Sequence, residues 1–275
     1  MLRILDARTG EPVSAAPARR GLTRIEAHAS GLDPTALRVL LTADLLVRAL
    51  ELGGTPVWTI LTAPRDQPEL RTAATHLAIR PFEDGRDLAS GLGEAQAVHV
   101  AQRGSGDTPG EGPLVAVAAA EWAEGAGGAA GRARPRQERG AGGPACGGAP
   151  DAAPPAALAA LLADPAALRL ALLAVPRSEP VRLDPAALDA AARSLARWRR
   201  AVAGWARRPS RPVPGEVRER LRAAWEDDLD LPAVLGVLRD VENAPGVPDG
   251  ARFETFAYAD RLLALDLARD LGSLS

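Results

Sequence analysis

Apolar residues recur along this chain in two rhythms, separated by a stretch that has almost none. In the first third, short and largely apolar runs alternate with longer periodic ones. Leu22–Ala27 reads as a strand, and Asp33-Pro34 then opens a helix, with Asp as N-cap and Pro at the first helical position. Leu37, Leu40, Leu41, Ala43, Leu45, Val47 and Leu52 fill that helix, and Gly53-Gly54 stops it. Pro56–Leu61 reads as a buried strand, Pro68–Leu77 as a second helix, and Ala97–Ala101 and Pro113–Val117 as further strands. Strand and helix in alternation predict a parallel sheet with right-handed crossovers. About 120 residues carry the pattern, enough for a partial nucleotide-fold-like domain.

The second rhythm is helical throughout. Pro155–Leu162 and Asp164–Leu173 read as short helices. Asp184-Pro185 repeats the cap-and-proline start and opens a helix to about Arg208. Trp198, Val202 and Trp205 share one face of it, as Val217, Leu221 and Trp225 share a face of Gly215–Asp228. Pro232–Glu242 and Phe253–Leu271 complete a bundle, the last with Phe256, Ala259, Leu263 and Leu267 as its buried stripe. The three tryptophans read as core.

Between the two lies Ala123–Ala157, which holds no Val, Ile, Leu, Met or Phe and nine glycines between Gly125 and Gly148. Such a segment buries too little apolar surface to offset its ordering entropy. The expected organisation is a partial Rossmann-like domain over 1–122, a disordered Gly/Pro-rich linker over 123–157 and a helical bundle over 158–275.

Composition narrows the chemistry. All 33 basic residues are arginine, and 58 residues are alanine. Without lysine there is no Schiff base, phosphate-loop lysine or lysine clamp on a triphosphate. Arginine-for-lysine exchange and the Ala/Gly/Pro enrichment fit drift in a GC-rich genome. The single cysteine, Cys146, excludes a disulfide framework and a Cys-Cys zinc knuckle. His28, His76 and His99 are spaced too widely for a local His-x-x-x-His metal pair. No Gly-x-Ser-x-Gly elbow occurs, and Gly91-Leu-Gly93 lacks the third glycine of a dinucleotide loop. A net charge of −2 does not announce a nucleic-acid binder. Even so, ten arginines face two acids between Arg193 and Arg222, a local net of +8. Arg193, Arg197, Arg200, Arg207 and Arg208 are thus candidates for RNA contact, or a solvated bundle face. Glu226-Asp227-Asp228 and Asp230 are either a cation or acid–base site or a helix end followed by a cap. The longest apolar run, Leu37–Leu52, carries charge and falls short of a membrane span, and no secretory leader pattern opens the sequence. A soluble cytoplasmic protein without membrane partners is the expectation.

Two stretches resemble class I cysteinyl-tRNA synthetases and the related cysteine ligase of mycothiol synthesis. Thr35–Ile60, above all Ala43–Ile60, is similar to the family's helix after the His-x-Gly-His signature and the following strand. In the bundle, Asp164–Leu173, Val181–Leu188 and Glu226–Ala233 resemble family segments in family order, the last its D-D-x-N/D-T-P signature. Aligned on Asp44, the His-x-Gly-His signature falls on Asp33-Pro34-Thr35-Ala36, so both histidines that stabilise the adenylation transition state are replaced. The family's Lys-Met-Ser-Lys-Ser loop cannot form without lysine. Its zinc-binding region falls mostly between Val117 and Ala157, where no matching cysteine, histidine and glutamate set occurs, and the resemblance stops at the bundle. The resemblance leaves ATP open as a cofactor without requiring one, and Asp33, Thr35 and Arg38, in the crevice beyond the first strand, are the candidate nucleotide contacts; zinc and a catalytic residue set are not expected. Loss of one such transition-state donor typically costs ~10²–10³ in rate. The reading is a synthetase-like paralogue without aminoacylation activity that serves as a binding or regulatory module. The alternatives are an active cysteine–tRNA or mycothiol-type ligase with diverged motifs, and a structural scaffold. A tRNA, a protein partner or a second copy pairing through an edge strand at Leu114–Val117 remain open.

Overall fold

The computed structural model describes residues 1–17, 21–84, 94–106, 109–123 and 155–272. Two short strands outside the expected set, β1 (Arg3–Leu5) and β2 (Pro12–Ser14), pair as an antiparallel hairpin. β3 (Leu22–His28) follows, and its burial alternates residue by residue. Thr23, Ile25 and Ala27 are buried on one face; Arg24, Glu26 and His28 are partly exposed on the other.

The cap read at Asp33 forms: its carboxylate accepts the Ala36 amide at 2.7 Å, Pro34 stands in the first turn, and α1 (Pro34–Leu52) ends at Gly53. α1 is not merely amphipathic, because every residue from Pro34 to Val47 is buried. β4 (Val57–Thr62), α2 (Gln67–His76), β5 (Glu83–Asp84), β6 (Glu94–Gln102) and β7 (Leu114–Val117) complete the α/β part. The sheet has five strands in the order β5-β4-β3-β6-β7, with every pair parallel. It is the partial Rossmann-like sheet that the alternating pattern predicts. One face, with Ile25, Ala27, Leu61, Val98, Val100, Val115 and Val117, shares a core with the leucines of α1. The other carries Arg24, Glu26, His28, Ile60, Ala97, His99 and Ala101, by register and strand period.

β7 lies at the sheet's edge, and it is not bare. Ala7 N donates to Leu114 O, Leu114 N to Asp6 Oδ1, and Arg177 Nη1 to Ala116 O. These bonds use the groups that a second copy would need for strand pairing at Leu114–Val117.

β8 (Ala120–Trp122) precedes the glycine-rich stretch, and the chain returns as α3 (Pro155–Leu161) and α4 (Pro165–Leu173). Of the segment read as a disordered linker, 124–154 lie outside the described residues. β8 then pairs in parallel with β9 (Val181–Leu183), so the residues on either side of that segment join directly. α5 (Pro185–Trp205), α6 (Gly215–Glu226), α7 (Leu231–Asn243) and α8 (Asp249–Leu263) form the helical layer. Trp198 and Trp225 are buried as expected, and Trp198 and Trp205 pack edge-on against Phe256 with ring centroids 5.8 and 5.1 Å away. The boundary visible in the sequence does not divide the core, which runs from Leu2 to Leu267.

The last helix stops at Leu263 rather than Leu271. Ala264 adopts a left-handed φ of 49°, and the Asp260 carboxylate accepts the amides of Leu265 and Leu267 at 2.7 and 2.9 Å. Both leucines then pack inward from a chain of left-handed residues and turns, so the apolar stripe persists where the helix does not. No helix among the described residues is long and apolar enough to cross a membrane.

Candidate functional site

Parallel sheets bind ligands beyond the carboxyl ends of their strands, often at a helix N-terminus. The first candidates, Asp33, Thr35 and Arg38, sit there. Asp33 occupies the α1 N-terminus with its own carboxylate. The Thr35 hydroxyl donates to Ala120 O at 3.2 Å and accepts from Ala120 N at 3.0 Å, fastening β8 to α1. Arg38 is 2% exposed and directs its guanidinium at the carbonyls of Ala118, Ala119, Val175, Pro176 and Glu179. Burial pushes its pKa down to about 10 against the opposing pull of Glu179, so it remains a cation at neutral pH. A phosphate at this helix end would meet a carboxylate where free amides are needed. The residues present do not fit a nucleotide phosphate at that place.

A second constellation lies on the opposite sheet face. β3 and β6 pair in parallel with Glu26 opposite His99 and His28 opposite Ala101. The period of two puts Glu26, His28 and His99 on one face. His28 Nε2 lies 3.1 Å from His99 Nδ1; Glu26 Oε2 lies 3.5 Å from His99 Nδ1, and Glu26 Oε1 lies 3.8 Å from His28 Nε2. The Glu26 and His28 side chains are 13% and 10% exposed and that of His99 is 1% exposed.

Local structure fixes the tautomer of His99. Its Nε2 stands 3.0 Å from Glu111 O. A carbonyl only accepts, so Nε2 carries the proton and Nδ1 presents a lone pair to His28. Burial lowers the His99 pKa, opposed by the Glu111 bond and Glu26, and the ring is neutral near pH 7. The loop that brings Glu111 there depends on Gly112, whose φ is 119° and where a Cβ would lie 2.4 Å from Ala97 O. Arg8 holds the loop from outside by donating to Pro109 O and Gly110 O at 2.7 and 2.6 Å. Glu26 accepts the Thr62 hydroxyl at 2.8 Å, and Arg24 Nε lies 3.7 Å from its other oxygen. A cavity of about 600 Å³, lined in part by Asp6, Arg24, Gln96 and Glu111, adjoins the cluster.

Two imidazoles and a carboxylate can relay a proton or ligate a cation. The signal for them was present in the sequence but faint. Glu26 and His28 are two apart in a strand, and His99 is the polar residue inside an apolar run. Spacing along the chain hid them because strand pairing, not proximity in sequence, closes the 71-residue gap.

The other candidates fall elsewhere. Glu226 binds the Met1 ammonium at 2.7 Å and Arg222 at 2.9 Å, Asp228 accepts the Leu5 amide and pairs with Arg177, and Asp230 caps α7 at Ala233. The acids tie the amino terminus to the turn between α6 and α7. Arg193, Arg197 and Arg200 share one exposed face of α5, with Arg207 and Arg208 exposed just beyond its end. Arg197 pairs with Glu242 at 3.0 Å and Arg208 approaches Asp249 at 4.0 Å, which removes part of the local charge. Arg193, Arg200 and Arg207 have no ion-pair partner among the described residues.

No family model matches the chain. Over 76 residues, 28% of its length, it is 47% identical to an L-cysteine:1D-myo-inositol 2-amino-2-deoxy-alpha-D-glucopyranoside ligase from Parafrankia sp. (strain EAN1pec). The matched stretch spans 16% of that protein. The chain is thus related in part to a cysteine ligase, in line with the resemblance read from its motifs.

Proposed function

We propose that this protein is a paralogue of the cysteine-ligase line that has lost adenylation and acts as a binding module. One observation carries the reading. The four positions aligned with the His-x-Gly-His signature hold no histidine, and their side chains serve the fold: Asp33 caps α1, Pro34 starts it, Thr35 fastens β8, and Ala36 is buried. A donor set aimed at developing phosphate charge is the largest single contribution to such chemistry. Arg38, the nearest cation on α1, is spent on backbone carbonyls.

The test is cysteine-dependent ATP–pyrophosphate exchange, run beside calorimetric titration with L-cysteine, ATP, the amino-sugar inositol named for the relative, and tRNA. The expected result is no exchange above background and binding of at least one of the four. Exchange that depends on cysteine overturns the loss of adenylation, and silence toward all four overturns the binding module. Titration with tRNA at two salt concentrations isolates the arginine face, because phosphate contacts weaken steeply with salt.

A further inference from the structure

We propose that Glu26, His28 and His99 form a binding site for one divalent transition-metal ion of the zinc type, with three protein ligands and one open position. The proposal stands on geometry and does not depend on whether adenylation is lost. A tetrahedral ion with ligands at about 2.0–2.1 Å separates its donor atoms by about 3.3–3.4 Å. His28 Nε2 and His99 Nδ1 stand 3.1 Å apart, and Glu26 brings Oε2 to 3.5 Å from His99 Nδ1 and Oε1 to 3.8 Å from His28 Nε2, so a small turn of the carboxylate completes a three-donor set with either oxygen. All described His, Asp, Glu and Cys ligand atoms considered together yield this one triple, with its ligand atoms within 4.8 Å of one another.

The outer contacts are those a metal site needs. A ligating histidine usually donates its second nitrogen to a carbonyl or carboxylate, which fixes the ring. His99 donates Nε2–H to Glu111 O and offers Nδ1, and Glu26 is oriented by Thr62. His28 offers Nε2 as the Nδ1–H tautomer. Two imidazoles and one carboxylate favour zinc and its transition-metal neighbours over magnesium or calcium, which take oxygen donors. Three protein ligands leave a fourth place for water or a donor from a bound molecule, the pattern of a reactive rather than a purely structural zinc site. The Arg24 side chain is the competing cation; it also lines the adjoining cavity, which offers it room to turn away. The donor set contains no thiolate, which separates it from the cysteine-containing centre that the family resemblance implies.

The experiment titrates metal-depleted full-length protein with Zn(II) by calorimetry and with Co(II) by visible spectroscopy. One equivalent of zinc is expected, with cobalt bands of a four-coordinate site and no thiolate-to-cobalt charge transfer. His28→Ala and His99→Gln each weaken zinc binding by at least about 100-fold, more than outer-shell losses cost. Glu26→Gln, which keeps an acceptor for Thr62, weakens it as well and guards against misfolding of the histidine variants. His76→Ala and Cys146→Ser leave binding unchanged. Absence of stoichiometric binding, binding indifferent to Glu26→Gln and His28→Ala, or binding lost with Cys146→Ser each overturns the proposal.

Discussion

Two clusters of charged and polar side chains lie on opposite faces of the same sheet, and they differ in what their side chains reach. On the α1 side, Arg169 donates to Leu263 O, Leu77 O and Asp44 Oδ2 at 2.6, 2.7 and 3.0 Å. Asp44 also accepts from Arg48 Nε at 2.8 Å and Arg80 N at 3.3 Å. Arg38 spends its guanidinium on five carbonyls. These arginines saturate backbone groups left over where helices and strands end, and no lone pair points at an open place. On the other face, Glu26, His28 and His99 approach one another at distances too long for strong mutual bonds, except between the two histidines. His99 is anchored by Glu111 O and Glu26 by Thr62, and the potential ligand atoms of all three converge. Burial and charge are common to both clusters; convergence of imidazole and carboxylate ligand atoms is found in one. That distinction moves the candidate site away from Arg38, the residue that position in the family pattern singles out.

The comparison breaks most visibly at Arg169. Arg169→Leu takes from the fully buried Asp44 carboxylate its most deeply buried cation, leaving it the more exposed Arg48 and Arg80, and strands the Leu77 and Leu263 carbonyls. Removing one partner of a buried pair costs about 3–5 kcal/mol, so urea unfolding should shift by that amount. The double variant Arg169→Leu/Asp44→Asn should be less destabilised than Arg169→Leu alone, since the fully buried carboxylate charge is gone, while Arg48 and Arg80, which lose that partner, are more exposed. Arg38→Met comes next, at about 2–3 kcal/mol, because it leaves buried carbonyls without donors. An Arg38→Met protein that folds as stably as wild type would return Arg38 to the list of ligand-binding candidates.

Gly112→Ala probes the other cluster through its frame. A Cβ there meets Ala97 O, so the loop must lift, at about 1–3 kcal/mol. With Glu111 displaced, His99 loses the acceptor that orients it, and zinc affinity should drop by about 10–100-fold. Smaller still is the effect of His28→Ala on the metal-free protein, at about 1 kcal/mol, since the ring is partly solvated. The contrast with Arg169 sharpens when zinc is added. Wild type should gain melting temperature as any protein does when a ligand binds only its native state, and His28→Ala should gain none.

Much of this architecture is legible in local chemistry. The Asp-Pro starts at Asp33, Asp164 and Asp184 and the glycine stop at Gly53 set four helix ends, the first three with side-chain caps. The periodicity around Trp198 and Trp225 sets the buried faces of α5 and α6. Less is legible where non-local pairing decides. β8 and β9 are three residues each and exist because they find one another across 58 positions of chain, and β1 is held by Asp228 and the β7 edge as much as by its own hairpin. α8 stops early because Asp260 takes two amides beyond it, a choice no periodicity records. The Glu26–His28–His99 site belongs with these, since strand register creates it.

A third ionic cluster, exposed and at the molecule's edge, supplies the smallest effect and a control for both of the others. Glu226 holds the Met1 ammonium and Arg222, with a side chain 26% exposed. Partial burial pushes its carboxyl upward, but the two cationic partners outweigh that, and the net pKa lies below the ordinary glutamate value. A depressed folded-state pKa contributes stability that is present above the unfolded value and is lost as pH falls through the folded one. Glu226→Gln should therefore cost less than about 1 kcal/mol at pH 7, because solvent screens surface pairs. The cost should shrink to nothing in acid below the usual glutamate range, and should fall with added salt. Denaturation of the two proteins from pH 7 down to the acid limit measures it. Arg169→Leu should hold its full deficit over the same salt series, because water and ions do not reach Asp44. Equal salt sensitivity at the two sites would mean that the α1 cluster is wetter than its geometry indicates, and the contrast between an interior cluster spent on backbone carbonyls and a sheet-face cluster of converging ligand atoms would lose its physical basis.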